Sequence, residues 1–220
     1  PFVDALFTST TATCVTGLVV VPTFSAWSTF GHIVILFLIQ IGGLGVITVL
    51  AVFSMMLHRK MGLSGRLLLQ DAFNLNTLSG LSQFVKKVVL GTFIVEGIGA
   101  LLYMTVFIPE FGLKGIWISV FTAISAFCNA GIDIIAENSL CNYVHNPIIN
   151  LTTCLLIFFS GIGFVVWWDV IRVLKLRKKR KIKVMKSLTL HSKIALATTL
   201  VLIFGGALCI FLFEYNNPQT

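Results

Sequence analysis

Between Asp4 and Arg59 the chain carries no Asp, Glu, Lys or Arg, and this charge-free run limits the possible folds more than any other feature. A transmembrane helix needs roughly 20 predominantly apolar residues, and residues 30–57 are long enough to form one. Residues 2–13 are too short, because a helix of that length rises only about 18 Å. They favour a half-length helix that enters a membrane and turns back.

The composition excludes an ordinary soluble domain. Hydrophobic residues make up 57% of the chain and charged residues 11%, whereas about 25% of residues are charged in soluble domains. The formal charge of +8 does not indicate nucleic-acid binding, because the basic residues occur in blocks between apolar runs, as in multispanning membrane proteins. The five cysteines show no CxxC or Cys/His metal spacing, so buried free thiols are expected.

The apolar pattern predicts an all-α membrane protein. The predicted spans are residues 30–57, 88–108, 148–168 and 194–213, and the predicted half-length helices are residues 2–13 and 115–127. The basic loops 59–87 and 172–193 are expected on the cytoplasmic side by the positive-inside rule. Both half-length helices then begin and end on the outer side of the cell membrane.

The sequence contains an internal repeat. A shift of 114 residues aligns Cys14 with Cys128 and Gly17 with Gly131, and a shift of 118 aligns IQIGGLGVI with IFFSGIGFV. Each unit is predicted to contain a span, a half-length helix, a short loop ending in Gly, and a second span. Repeats in membrane proteins commonly enclose a shared site at their interface.

The repeat divides the chain into five predicted segments. Residues 1–58 hold the half-length helix, loop and second span of repeat 1, residues 59–87 are a cytoplasmic loop, and residues 88–171 are repeat 2. Residues 172–193 form a basic cytoplasmic loop, and residues 194–220 form the first span of repeat 3. Because apolar segments stand at both ends, the chain is expected to be an internal piece of a longer protein.

The loops after the half-length helices are candidate ion-binding sites. Non-helical backbone at membrane depth persists only where it is buried in protein or lines water, and the C-terminal end of a helix favours a cation. A Gly with φ > 0 lets successive carbonyls face one axis, as in a selectivity filter. The candidate ion-binding residues, mainly through their backbone, are Val15, Thr16, Gly17, Asn129, Ala130 and Gly131, flanked by Cys14, Leu18, Cys128, Ile132 and Asp133. No catalytic residue, cofactor or transition-metal site is predicted.

The motifs TATCVTGLVVV, IQIGGLG, FIPEFG, SAFCNAGID, NPIINL and LHSK together resemble the Trk/Ktr/HKT family of potassium uptake proteins, especially its bacterial Ktr pore subunits. The resemblance covers essentially all of the chain. It implies tandem membrane–pore–membrane units with re-entrant pore helices, four of them around one permeation path, of which this chain would supply half. K⁺ would be the transported ion, with Na⁺ possible.

The resemblance also implies partners and a determinant of selectivity. The complete protein would form a homodimer in membrane lipid and bind a cytosolic nucleotide-binding regulatory subunit of the KtrA/TrkA type. Within the family, Ser at the first loop position goes with sodium-permeable members, whereas this chain has Gly17. The second loop more often reads NAGF in the family, and here Ile132 replaces the aromatic residue.

Some residues admit two interpretations. Gly42, Gly43 and Gly45 are typical of close helix packing or of a hinge. Glu96, near the middle of its span, fits a structural hydrogen bond within the bundle or a role in ion or proton passage. Asp133 either raises the cation concentration at the outer mouth or braces the loop.

Alternative functions also stay open. The basic block 177–186 could determine topology alone, bind anionic lipid headgroups or dock a cytosolic partner. The chain could belong to a sodium-permeable or sodium-coupled transporter of the same fold, or to a non-conducting membrane scaffold. An enzyme is not expected, because no clustered carboxylates, HExxH motif or Ser/His/Asp arrangement lies in the apolar segments.

Overall fold

The computed structural model describes residues 2–56, 67, 81–136, 138–180 and 184–215. Regular structure in these ranges is entirely helical, which confirms the predicted all-α class. The helices are α1 (Phe2–Cys14), α2 (Thr23–Ala26), α3 (Thr29–Leu44), α4 (Val46–Met56), α5 (Leu81–Phe111), α6 (Lys114–Phe127), α7 (Pro147–Gly161), α8 (Phe164–Arg180), α9 (Val184–Ser187) and α10 (Leu190–Glu214), with a 3₁₀ helix at Ser139–Tyr143. Most of the predicted loop 59–87, and residues 181–183 of the basic block, lie outside the described residues.

The chain divides into two compact units, Pro1–Ser160 and Gly161–Thr220. In the first unit, the half-length helices predicted from the sequence fall on α1 and α6, which have 13 and 14 residues. Each therefore rises about 20 Å, which is less than the ~30 Å hydrocarbon core of a bilayer. Helix α5 has 31 residues and is long enough to cross that core.

A tight reversal joins α5 to α6. Gly112 follows the end of α5 with φ 60°, and its N–H donates to Ile108 O at 2.9 Å, as expected for a left-handed glycine closing a helix. Helix α6 then returns along α5 so closely that a Cβ on Gly115 would lie 2.5 Å from the carbonyl carbon of Phe107.

Two of the predicted spans are interrupted in the structure. The single helix predicted over residues 30–57 is broken at Gly45, between α3 and α4, where φ is 80°. The helix predicted over residues 148–168 is broken between α7 and α8, where Gly163 has φ 83°. A left-handed residue ends a right-handed helix. Because Gly45 and Gly163 are equivalent in the repeat, the break is a property of the repeat.

Several helices have the dimensions of membrane spans. Among the described residues, Ser82–Phe111 and Leu190–Glu214 are each long and apolar enough to cross a bilayer, and Pro147–Gly161 with Phe164–Arg177 makes a third if the pair counts as one span. Large apolar side chains on α10 are exposed, including Leu202 at 72% and Phe204 at 70%. Such a surface suits contact with lipid or with further helices.

Aromatic side chains form the core of the first unit. The rings of Tyr103 and Phe107 on α5 stack with their centroids 5.7 Å apart, and Tyr143 meets Phe107 edge-on at 5.4 Å. Phe121 and Phe127 on α6 are buried. The Tyr103 hydroxyl lies 2.6 Å from Thr153 Oγ1 on α7, so its polar end is satisfied. This packing fixes α6, and hence the loop that follows it.

In the second unit, Asp169 of α8 caps the start of α10. Its Oδ2 accepts hydrogen bonds from the Thr189 backbone N–H and hydroxyl, each at 2.9 Å. Arg172 Nη2 donates to its Oδ1 at 2.5 Å. Thr189 is itself the N-cap, since its side chain accepts from Ser192 N–H. A carboxylate at this end of a helix also complements the helix dipole.

Candidate functional site

Two short loops begin where the half-length helices end, and we call residues 15–17 the first glycine loop and residues 129–131 the second glycine loop. Val15 and Asn129 both have left-handed backbones, with φ 56° and 59°. Gly17 and Gly131 do too, with φ 77° and 65°. The shift of 114 residues predicted from the sequence therefore pairs positions with the same backbone conformation.

The left-handed Val15 is a strained residue, because a β-branched side chain disfavours φ > 0. Strain of this kind persists only where the surrounding structure holds it, and it clusters at ligand clamps. Thr16, between Val15 and Gly17, does not have a positive φ. A backbone with φ > 0 at alternate positions lets successive carbonyl groups face one axis, as in a selectivity filter. The loop can therefore direct neighbouring carbonyl oxygens to one place.

An equivalent backbone hydrogen bond closes each loop onto its helix. Thr16 N–H donates to Thr11 O at 3.1 Å, and Ala130 N–H donates to Ser125 O at 2.8 Å. The first loop is also held by side chains. Thr11 Oγ1 lies 2.6 Å from Thr16 Oγ1 and accepts from Leu18 N–H at 3.1 Å.

The structure brings the two glycine loops together. A Cβ placed on Gly17 would lie 2.6 Å from Ala130 O and 3.9 Å from Gly131 Cα. Ala130 is completely buried. Only a residue without a side chain fits at Gly17, where one loop faces a carbonyl oxygen of the other.

The flanking residues predicted from the sequence have different surroundings. Cys14 is exposed and Cys128 is buried. Leu18 is exposed, whereas Ile132 is 2% exposed. The second loop is therefore enclosed on flanks where the first loop is open. Ile132 fills this enclosed space.

Asp133 lies just after the second glycine loop and braces the chain there. Its Oδ1 accepts from the Ile135 backbone N–H at 3.1 Å, and its Oδ2 accepts from the Ser139 hydroxyl. The carboxyl group thus fixes the path from the loop to the 3₁₀ helix. Of the two interpretations of Asp133, these contacts support the brace.

Two consecutive glycines of α3 contact the ends of both half-length helices. A Cβ on Gly42 would lie 2.8 Å from Val15 Cγ2, and a Cβ on Gly43 would lie 2.5 Å from Cys128 Cβ. These contacts support the close-packing interpretation of the two glycines. Gly45 is different, because nothing in the described part of the chain lies within 4 Å of a Cβ there.

The contact between the glycine loop and the following span is chemically different in the two repeats. Val15 and Asn129 are equivalent positions, and so are Gly42 and Ser160. In the first repeat Gly42 packs against the Val15 side chain. In the second repeat Asn129 Nδ2 donates to Ser160 Oγ at 3.2 Å. The loop is thus tied to the following span in both repeats.

Gln40 and Thr11 contact the site but were not predicted from the sequence. Gln40 Nε2 donates to Glu96 Oε1 at 3.0 Å, which agrees with a structural hydrogen bond for Glu96. Gln40 could have been noticed as the only amide side chain in residues 30–57. Thr11 carried no signal, because its role depends on the turn that follows it.

Comparisons with known proteins find similarity to cation transport proteins. Residues 1–217 match the TrkH family, described as cation transport protein. The chain is 41% identical over 220 residues to Ktr system potassium uptake protein B of Bacillus subtilis, covering 100% of this chain and 47% of that protein. It is 38% identical over 217 residues to potassium/sodium uptake protein NtpJ of Enterococcus hirae, covering 98% and 46%. The chain spans about half the length of the curated relatives it matches.

Proposed function

The chain belongs to the TrkH family of cation transport proteins, and from this premise we propose that it forms part of a membrane pore for K⁺ uptake. The backbone carbonyls of the two glycine loops would be ligands of the ion. One observation carries the proposal: the two loops share an alternating left-handed backbone and meet where Gly17 faces Ala130 O.

The chemistry of the loops suits a monovalent cation. Neither loop contains Asp, Glu, Lys or Arg, so its ligands are carbonyl and hydroxyl oxygens. Rings of backbone carbonyls replace the hydration shell of K⁺ in selectivity filters, whereas Ca²⁺ and Mg²⁺ sites normally include carboxylates. The C-terminal ends of α1 and α6 point their dipoles' negative ends towards the loops. Two loops would supply half of a fourfold ring.

A sodium-permeable transporter of the same fold is the second candidate. The Enterococcus hirae relative is named as a potassium/sodium uptake protein, so both ions occur in the names of similar proteins. Gly17 favours potassium, because Ser at this position goes with the sodium-permeable members of the resembled family. A measurement of selectivity separates the two candidates.

The surroundings of the pore are part of the proposal. The complete protein would lie in the plasma membrane, with segments 59–87 and 172–193, which include helical residues of α5, α8, α9 and α10, on the cytoplasmic side and repeat 2 over residues 88–171. Similar proteins are named as parts of a Ktr system, which supports assembly with another component. We propose a homodimer and a cytosolic nucleotide-binding regulatory subunit.

The test is K⁺ uptake by the complete protein in a bacterial strain without its own K⁺ uptake systems. Growth at low K⁺ and saturable uptake are expected, with Na⁺ competing weakly. Variants Gly17→Ser and Gly131→Ser are expected to weaken the discrimination of K⁺ over Na⁺ at normal protein levels. No uptake of any alkali cation would favour a scaffold, and unchanged selectivity in both variants would refute the loops as ligands.

A further inference from the structure

A cluster of three polar side chains lies beside the second glycine loop, with Glu96 and Cys128 buried and Gln40 partly buried. Gln40 of α3 donates from Nε2 to both carboxyl oxygens of Glu96 on α5, at 3.0 Å and 3.3 Å. Cys128, which follows the last residue of α6, donates from Sγ to Glu96 Oε1 at 3.9 Å. Three elements from two repeats therefore meet at one carboxyl group.

Two members of the cluster are enclosed by protein. Glu96 is 3% exposed and Cys128 is 6% exposed. No Lys or Arg pairs with Glu96 within the ranges that the structure describes. Burying a carboxyl group costs free energy unless hydrogen bonds satisfy it. Breaking the bonds to Gln40 and Cys128 is therefore unfavourable, and this restricts the positions of the three side chains.

The cluster also reaches the loop through the backbone. Cys128 immediately precedes Asn129, the first left-handed residue of the second glycine loop. On its other side Cys128 packs against Gly43, where a Cβ would lie 2.5 Å from Cys128 Cβ. Cys128 is thus held between Gly43, which packs against it, and Glu96, which accepts its hydrogen bond. A displacement of either residue would move the start of the second glycine loop.

We propose that Glu96 is a positioning residue for the second glycine loop. It binds Cys128 at the end of α6 and Gln40 on the neighbouring repeat, and so sets the distance between that loop and α3. This inference rests on the proposed role of the loop as an ion ligand. In this role Glu96 holds the second glycine loop in place and does not itself contact the ion.

Glu96→Gln tests whether the hydrogen bonds or the charge matter. Gln at position 96 still offers an acceptor to Gln40 and Cys128. Its new amide group can also donate to Gln40 Oε1, which is buried without a partner in the described part of the structure. Glu96→Leu has a similar size but can accept no hydrogen bond.

The experiment measures half-saturating K⁺ and Na⁺ concentrations for uptake by the complete protein at matched membrane levels. Glu96→Leu and Gln40→Leu are each expected to reduce K⁺ over Na⁺ discrimination by up to about tenfold, the limit reached if the full free energy of the lost hydrogen bond separates the K⁺-bound from the Na⁺-bound loop. The double variant should lose no more than either single variant, and Glu96→Gln should restore most of the discrimination. Thr92→Val is the control, because Thr92 is buried one turn away on α5 and its hydroxyl has no partner among the described residues.

Each outcome decides one question. If Glu96→Gln reduces discrimination as much as Glu96→Leu, the charge is required and the positioning role is refuted. If both Leu variants reach the membrane with unchanged discrimination while Gly17→Ser alters it, the inference fails and the proposed function stands. If the Gly17 and Gly131 variants also leave discrimination unchanged, the proposed function itself fails. Poor insertion of Glu96→Leu leaves the comparison of Glu96→Gln with Gln40→Leu as the test.

Discussion

The contact between the two glycine loops predicts that Ser substitutions at the equivalent positions Gly17 and Gly131 have unequal effects. Both glycines have left-handed backbones, so a side chain at either position costs about 1–2 kcal/mol. At Gly17 a Cβ would also lie 2.6 Å from Ala130 O, closer than the 3.4–4 Å of ordinary contacts. At Gly131 the nearest atom to a Cβ is Gly17 Cα at 4.0 Å, an ordinary contact.

The difference between the two variants can be worked out from these contacts. To accommodate Gly17→Ser, the loops must separate by most of an ångström, and overpacking of this kind typically costs about 1–3 kcal/mol. The total at Gly17 is then about 2–5 kcal/mol, against about 1–2 kcal/mol at Gly131. Because the loops must separate further in Gly17→Ser, their ligand geometry should be distorted more, and the loss of K⁺ over Na⁺ discrimination should be larger than in Gly131→Ser.

The assay compares half-saturating K⁺ concentrations and Na⁺ competition in cells that carry equal amounts of each variant of the complete protein. Gly206→Ser in α10 is the control, because nothing in the described residues lies within 4 Å of a Cβ there. Equal losses in the two loop variants, or a larger loss at Gly131, would refute the contact between Gly17 and Ala130.

Three further substitutions test separate contacts. Gly42→Ala should lower the free energy of unfolding of the detergent-solubilised protein by about 1–3 kcal/mol, because its Cβ would meet the backbone carbonyl oxygen of Thr13 as well as Val15 Cγ2. Gly97→Ala, with nothing described within 4 Å of its Cβ, should not, and equal melting of the two would contradict the close packing. Asp133→Asn can keep both hydrogen bonds of the brace and should retain K⁺ affinity, whereas Asp133→Ala should destabilise the loop. A lower K⁺ affinity of Asp133→Asn that disappears at high salt would instead support a role in attracting cations. Asp169→Ala removes the acceptor at the start of α10 and should lower thermal stability by about 1–2 kcal/mol, and an unchanged melting temperature would show that the cap contributes nothing.

The sequence predicted the features that depend on local pattern. An apolar segment of about a dozen residues followed by a glycine was enough to predict half-length helices at residues 2–13 and 115–127, because length alone distinguishes them from spans. The alignment of Gly17 with Gly131 was visible as a repeat. The conformation of Val15 was not predictable, because a β-branched residue in a left-handed backbone runs against its own preference.

Contacts between distant residues could not be predicted in the same way. Glu96 was recognised as a buried carboxyl group that needs a partner, but Gln40 is 56 positions away, and no local pattern connects them. The interruption at Gly45 was missed, because apolar residues continue on both sides of it and only the backbone angle reveals the break. From the sequence alone, Gly42 and Gly43 could serve either close helix packing or a hinge. Their close contacts in the structure support packing.

The equivalent positions Gly42 and Ser160 differ in how freely they can change over evolutionary time. If both derive from one ancestral residue by duplication, each could at first have carried either side chain. Today a Cβ at Gly42 would meet the backbone carbonyl oxygen of Thr13 as well as Val15, so a change to Ser would first require α3 to move away. Ser160 could become Gly by losing only its hydrogen bond to Asn129. The residue at this contact can therefore change readily in the second repeat but not in the first. The two repeats thus differ in the substitutions that they tolerate at equivalent positions.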